Sequence, residues 1–457
     1  MSGGGPKLAQ ESVALTGDVK RLEKMQFKRG ISWRMMTARV VLLRVAWKNA
    51  MYRTKPMSLD DSRDSFGVHD WRNPDIHSTQ SSLRGLICAL LCSLTCGCGG
   101  GSGGSGTTPP TPTPAPAPPT TDSLLAVTNA TAGSIDLLTI DTTTGVPAPV
   151  AGNPMPDGPT PAAVAIDPLR RFLYVVSTSG EIRGYVIVPS TLNLTAVAGS
   201  PFSTGAQSVG IAVDPSGHFV LTANGSANTV SVFSIGSTGA LTEVAGSPYA
   251  AGSNPSAIVV AGGRYVYAAN TAGSSVSGYS LNTTSGALTP VAGSPFATPG
   301  LPNGLVVDPA GTHLYASESQ PNEMSGFSID ATTGALSTIP GSPFGASFVI
   351  RSPVMDAAGK RLHVANGTNV DCFEVDANTA TLSEIGTSAT NGQSSIALAL
   401  DGPDNFLYVL DNLANQIEVF SIDTSSGALT LINGSPFALF AGASNQSLGP
   451  NAMAVQH

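Results

Sequence analysis

Beyond residue 122 the hydrophobic positions fall into short runs that come four to a set, and the set recurs to the end of the chain. The first run is continuously apolar, as in Gly210-Ile211-Ala212-Val213 and Ile396-Ala397-Leu398-Ala399-Leu400. The second carries large aromatic or β-branched residues, as in Phe172-Leu173-Tyr174-Val175-Val176 and Phe406-Leu407-Tyr408-Val409. The third alternates, as in Thr229-Val230-Ser231-Val232-Phe233-Ser234-Ile235. The fourth is a set phrase, Leu288-Thr289-Pro290-Val291-Ala292-Gly293-Ser294-Pro295-Phe296. Alternation with a period of two gives a strand one buried face, and the Gly- and Pro-rich breaks are turn chemistry, so each set predicts four short antiparallel strands.

The phrase fixes the number of sets. Its glycine position, held by Thr387 in one worn copy, falls at 152, 199, 246, 293, 341, 387 and 434, so the pitch is 46 to 48 residues throughout. Seven copies of a four-strand unit at that pitch predict an all-β fold, a seven-bladed β-propeller of four-stranded antiparallel blades over residues 123–457. The ends predict how it closes. Leu124-Leu125-Ala126-Val127-Thr128-Asn129 matches second strands, while Gly449-Pro450-Asn451-Ala452-Met453-Ala454-Val455-Gln456-His457 matches a first strand. A 3+1 closure of blade one by the C-terminal strand follows, which leaves no open edge in the ring. The first strand usually stops at Asp-Pro-x-Gly, as in Asp214-Pro215-Ser216-Gly217, which is type I turn chemistry.

The first 122 residues do not share this pattern. Residues 86–98 hold a short apolar run, Leu86-Ile87-Cys88-Ala89-Leu90-Leu91-Cys92-Ser93-Leu94-Thr95-Cys96, then Gly97-Cys98. Its length suits an export signal and falls short of the ~20 residues that a membrane-spanning helix needs. Residues 99–122 follow as a Gly/Ser stretch and a Thr/Pro/Ala-rich tether, which is extended by composition. This order resembles a bacterial lipoprotein signal, and the resemblance implies lipid attachment at Cys98 and a place in the periplasm or at the cell surface. Thr95 stands where that pattern usually has Leu. Residues 1–85 are expected to be disordered, or an extension from a start assigned too far upstream, with Met57 as an alternative start. Zinc at Cys88, Cys92, Cys96 and Cys98 is disfavoured, because no histidine lies among them.

Composition and charge narrow the partners. The 51 Gly and 34 Pro agree with a turn-rich chain. Residues 1–85 hold 15 of the 22 Lys and Arg but 8 of the 30 acids, which leaves the remainder with 7 bases, 22 acids and a net charge of −15. A surface so acidic repels phosphate backbones, so no nucleic acid is expected, and the membrane is reached only through the lipid anchor. No cofactor or metal is expected, and the domain reads as a monomer.

The repeats place candidate chemistry on one rim. Superposing them sets Asn129, Ser177, Asn224, Asn270, Glu318, Asn366 and Asp411 at the second-strand exits. Ala162, Val209, Ser256, Asn303, Arg351, Ile396 and Asn451 fall at the first-strand entrances, facing the central channel. Asn129, Asn224, Asn270, Asn303 and Asn366 are thus ligand candidates for the channel mouth, or caps of turns. Arg351, with Glu318 one blade before and Asp411 one blade after, forms the candidate catalytic group, or three charges that pair and close the channel. Arg170, Arg171, Arg264, Lys360 and Arg361 fall at the opposite rim and read as solubilising turn residues. His363 stands at a tyrosine position and Cys372 at an apolar one, so both read as core residues.

Ala126-Val127-Thr128-Asn129, the Asp-Pro-x-Gly turn and the stretch from Thr238-Gly239-Ala240-Leu241 to Gly246-Ser247-Pro248-Tyr249 together resemble the seven-bladed lactonase family, which includes 6-phosphogluconolactonase and fungal muconate-lactonizing enzymes. The resemblance covers residues 123–457 and implies hydrolysis of a cyclic ester by a histidine with arginine and acidic partners at the channel mouth. No histidine-containing motif of that kind is present. Two functions fit: an exported, lipid-anchored module that binds a small molecule or an envelope protein, and a hydrolase of a sugar lactone, of the 6-phosphogluconolactonase type.

Overall fold

The computed structural model describes residues 123–345, 350–390, 392, 394–439 and 450–455. What the sequence predicts for residues 1–122, including the signal, the tether and the anchor at Cys98, lies outside them. Seven antiparallel sheets follow one another, and in six of them the chain runs from the innermost strand outward in sequence order. Blade one is the exception: its innermost strand is Pro450–Val455, paired with Ser123–Asn129 through Leu125↔Val455, Ala126↔Ala454, Val127↔Met453 and Thr128↔Ala452. That strand packs between the innermost strands of blades two and seven, Pro161–Ile166 and Ser395–Leu400. The expected closure is therefore what holds the ring together.

The set phrase does something the strand pattern alone does not predict. In six blades the fourth strand is cut in two, and both pieces pair with the third strand. In blade three, Leu241–Glu243 and Tyr249–Ala250 both lie along Thr229–Ile235. Between them the chain loops out at Gly246-Ser247-Pro248, since proline has no N–H to give to a ladder. The third-strand N–H left facing the gap is taken by the serine hydroxyl: Val232 N donates to Ser247 Oγ at 3.0 Å, and Gly278 N to Ser294 Oγ at 2.9 Å. In blade one the Asn153 side chain does the same for Leu137 N at 2.6 Å. Blade six, whose copy lacks Gly-Ser-Pro, keeps an unbroken fourth strand, Leu382–Ala389.

The core lies between blades, in apolar clusters such as Leu125 and Val127 of blade one against Leu410 and Val419 of blade seven. Tyrosines of the second strands stitch four of the blades to the next. Tyr174 donates to Gly239 O at 2.9 Å, Tyr267 to Gly334 O at 2.7 Å, and Tyr408 to Gly145 O at 3.0 Å across the seam where the ring closes. Gly334 adopts φ +73°, and a Cβ there would sit 2.3 Å from the Tyr265 ring, so only glycine serves in this copy of the Thr-Gly-Ala-Leu motif. The predicted type I turns form as well: Gly217 N donates to Asp214 O at 2.8 Å, while Asp214 Oδ1 accepts from His218 N and Phe219 N.

Candidate functional site at the channel mouth

The rim carrying the second-strand exits is shaped by a repeated irregularity. In six blades the innermost strand slips by one residue against the second strand, and the extra residues are Ala162, Val209, Ser256, Asn303, Ile396 and Asn451. A bulge of this kind frees a residue from the ladder and bends the strand. Blade six departs from the rule. Ile350 pairs with Asn366 and Arg351 with Ala365, and the slip comes later, before Val354↔His363. The superposition that sets Arg351 level with Asn303 is thus one register position off: Arg351 occupies the level of Gly304, which pairs with Ser317. The cause is Pro353, which cannot donate to the ladder and draws the bulge onto Ser352 and itself. Ser352 takes φ +48° there, and its hydroxyl accepts from Leu398 N of the next blade at 3.1 Å. Arg351 is left exposed.

The second-strand exits form a buried polar ring. Asn129, Asn224, Asn270, Glu318, Asn366 and Asp411 are each at most 2% exposed. Asn129 Oδ1 accepts from Ala132 N at 3.0 Å, Asn224 Nδ2 donates to Ser231 Oγ at 2.8 Å, and Asn270 Nδ2 donates to Ser277 Oγ at 2.9 Å. Asn366 Nδ2 donates to Asp371 Oδ2, and Asp411 Oδ1 accepts from Leu413 N and Ala414 N. Four of the five asparagine candidates are thus bonded within their own blade. The fifth, Asn303, is half-buried and links its blade to the next: its Nδ2 donates to Ile350 O of blade six at 3.1 Å, and its Oδ1 accepts from Ser317 Oγ of its own blade at 2.7 Å.

The loops between blades roof this ring. A Cβ on Gly300 would lie 2.5 Å from Glu318 Oε2, and one on Gly392 would lie 1.9 Å from Asp411 Oδ2, so glycine is what lets backbone close over both acids. Glu318 Oε1 accepts from the Ser325 hydroxyl, while Oε2 is buried under the Gly300 backbone, whose N–H also favours the charged carboxylate. Burial pushes the Glu318 carboxyl above its ordinary range, against the Ser325 hydrogen bond that favours its charged form. No ion pair joins Arg351 to Glu318 or to Asp411 among the described residues. The three residues share a rim but are not brought into contact.

Sequence reasoning passed over a cluster at the joint of blades one and two. Tyr185 donates to Asp157 Oδ1 at 2.5 Å, and Arg183 Nη2 pairs with Glu181 Oε2 at 2.7 Å. Burial pushes Asp157 up to about 6, opposed by the Tyr185 hydrogen bond and the Arg183 charge. The available signal was a break in the repeat, because Asp157 stands where Thr204 and Thr298 stand in other copies. Histidines are distributed differently. His218 and His313 sit at the opposite rim beside Asp214 and Asp308, and His363 is 1% exposed in the core. Among the described residues, no group of three or more His, Cys, Asp or Glu could hold a metal ion.

The family model of the lactonases with a seven-bladed β-propeller matches residues 124–255, 242–347 and 354–438. Among solved structures, a candidate 6-phosphogluconolactonase of Bacteroides uniformis is 18% identical with a TM-score of 0.64, over 73% of this chain and 99% of that one. A second, from Bacteroides fragilis, is 17% identical with a TM-score of 0.64, over 75% and 99%. The periplasmic gluconolactonase PpgL of Pseudomonas aeruginosa is 18% identical with a TM-score of 0.62, over 74% and 99%. At these identities the likeness is one of fold. No curated protein matches the chain in sequence.

Proposed function

Because the chain belongs to the seven-bladed β-propeller lactonase family, we propose that it hydrolyses a sugar lactone at the channel mouth where the second strands end. The observation that carries this reading is Arg351, an exposed cation that makes no ion pair among the described residues, on the rim of a domain of net negative charge. In lactone hydrolysis, water adds to the carbonyl carbon, the ring C–O bond breaks, and the products are a carboxylate and a hydroxyl. Arg351 takes the carbonyl oxygen, where negative charge develops as water adds. Glu318 accepts the proton of that water, helped by a carboxyl that burial has made more basic. Contact with Glu318 requires the loop carrying Gly300 to move aside.

Purified full-length protein, assayed against gluconolactone and 6-phosphogluconolactone with the spontaneous rate subtracted, tests this reading. Arg351→Ala is expected to lower kcat/KM by about 100-fold, the usual scale for losing one donor to a developing oxyanion. An unchanged rate removes Arg351 from the reaction, and absence of any turnover by the wild-type chain removes the hydrolase reading. A second reading, an exported module that binds a small molecule or an envelope protein, draws support from the roofing of Glu318 and Asp411. Saturable binding of the lactone without turnover is its expected signature.

A further inference from the structure

On the rim opposite Arg351, blade four differs from its neighbours at one turn. The turn between the innermost and second strands carries an aspartate in five blades, and Asp167, Asp214, Asp308, Asp356 and Asp401 each accept the first N–H of the strand that follows. In blade two the aspartate also holds an arginine: Arg171 Nε reaches Asp167 Oδ2 at 2.8 Å, and Nη2 donates to Gly217 O at 3.0 Å. In blade four Ala261 stands at the aspartate position. Arg264, the counterpart of Arg171, is exposed and makes no ion pair among the described residues, and its guanidinium lies 5.7 Å from the centre of the Tyr265 ring.

Arg264 borders a recess of about 500 Å³, walled by Asn282, Thr283 and Thr284 of its own blade and by Thr332 and Thr333 of blade five. The recess is open and polar, and all five of these residues are exposed. Asn282 Oδ1 is held by Thr284 N and Ser285 N at 3.0 Å each, which leaves Nδ2 as its group for a ligand. Asp330 takes the N–H groups of Thr332 and Thr333 and the Thr333 hydroxyl, and these bonds hold its carboxyl below the usual range. An ionised Asp330 beside the recess makes a dianion a poorer guest than a monoanion.

The geometry points to this recess as a binding site for a carboxylate-bearing saccharide, with Arg264 on the carboxylate and Asn282, Thr283, Thr284 and Thr332 on the sugar hydroxyls. A guanidinium fits a carboxylate through two parallel hydrogen bonds, and hydroxyl side chains both donate to and accept from sugar hydroxyls. The site stands apart from the channel mouth and does not depend on lactone hydrolysis.

Calorimetric titration of the full chain with glucuronate, glucose and inorganic phosphate tests the assignment. Glucuronate should bind, with glucose and phosphate at least tenfold weaker. Arg264→Gln should weaken glucuronate at least tenfold while leaving any lactone turnover unchanged. Asn282→Asp keeps the side-chain oxygen that the turn needs and adds a negative charge, so it should weaken glucuronate too, which covers the case of an Arg264 variant that fails to fold. Arg351→Ala should leave glucuronate affinity at the wild-type value. The assignment is overturned if glucuronate does not bind, if glucose or phosphate binds as tightly, if Arg264→Gln keeps wild-type affinity, or if Arg351→Ala alone abolishes binding.

Discussion

In Gly293-Ser294-Pro295-Phe296 the serine hydroxyl accepts the N–H of Gly278 at 2.9 Å, at the point where the interrupted fourth strand offers no carbonyl. Gly278 is buried, so removing the hydroxyl leaves a donor without water to replace it. Ser294→Ala is therefore expected to cost about 1–3 kcal/mol, read as a lower urea midpoint with an unchanged slope. An unshifted midpoint would show that another group satisfies the N–H. The motif was legible in the sequence as a spacing mark, since its copies recur at constant pitch. Its job was not, because that depends on which third-strand N–H faces the gap. The same limit applied to Arg351, whose level is set by the hydrogen bonding around Pro353 rather than by its distance from Asn303 along the chain.

Among the elements, the second strand of blade six, Arg361–Asn366, is a weak stitch because it buries a polar ring there instead of a tyrosine or an aliphatic side chain. Where four other blades place a tyrosine whose hydroxyl reaches the next blade, this strand has His363, with both ring nitrogens buried and unbonded. Arg361 compensates in part by donating to Thr424 O and Ser425 O of blade seven. Burial pushes the His363 imidazole down to about 4, partly opposed by Asp356 and reinforced by Arg361. The unfolded chain takes up a proton near 6.5, the folded one near 4, so this contribution to stability is whole above about pH 6.5. It is lost progressively as pH falls toward 4, by about 3 kcal/mol. His363→Tyr is expected to restore the stitch to Gly427 O, adding about 1 kcal/mol at pH 7 and removing this loss at low pH. Comparing melting temperatures of the two proteins at pH 7 and pH 4.5 isolates His363 from the titrating carboxylates that both share, and equal losses in the two would refute it. That His363 belongs to the core was readable from the tyrosines at its repeat position. That it leaves two nitrogens unbonded was not, since the reach of a side chain across a blade joint has no sequence signature.

At the scale of the molecule, one short strand fastens the ring. Deleting residues 450–457 strips Val455 from the apolar cluster around Leu125 and Val127 and opens the edge of Ser123–Asn129. The truncated chain is expected to melt about 5 °C lower or more and to elute in part as oligomers paired through that edge. Unchanged melting and elution would mean that the closure is dispensable. Seven blades and their closure could be read from the sequence because a repeat states its architecture seven times over. The candidate site could not be read to the same depth, because a site is built from the copies that break the rule. Glu318, Asp411 and Arg351 were visible as odd residues on one rim, but not as two acids under loops and a cation standing clear of them.

The severed outer strands bear on how these molecules behave in a crowd. Six of the seven blades offer a neighbour only a three-residue piece and a two-residue piece, separated by a proline turn. Such fragments give an approaching chain too few aligned amide groups to zip onto, so these six blades resist the sheet-to-sheet growth by which repetitive β proteins precipitate, and the unbroken outer strand of blade six, Leu382–Ala389, is the edge left open to it.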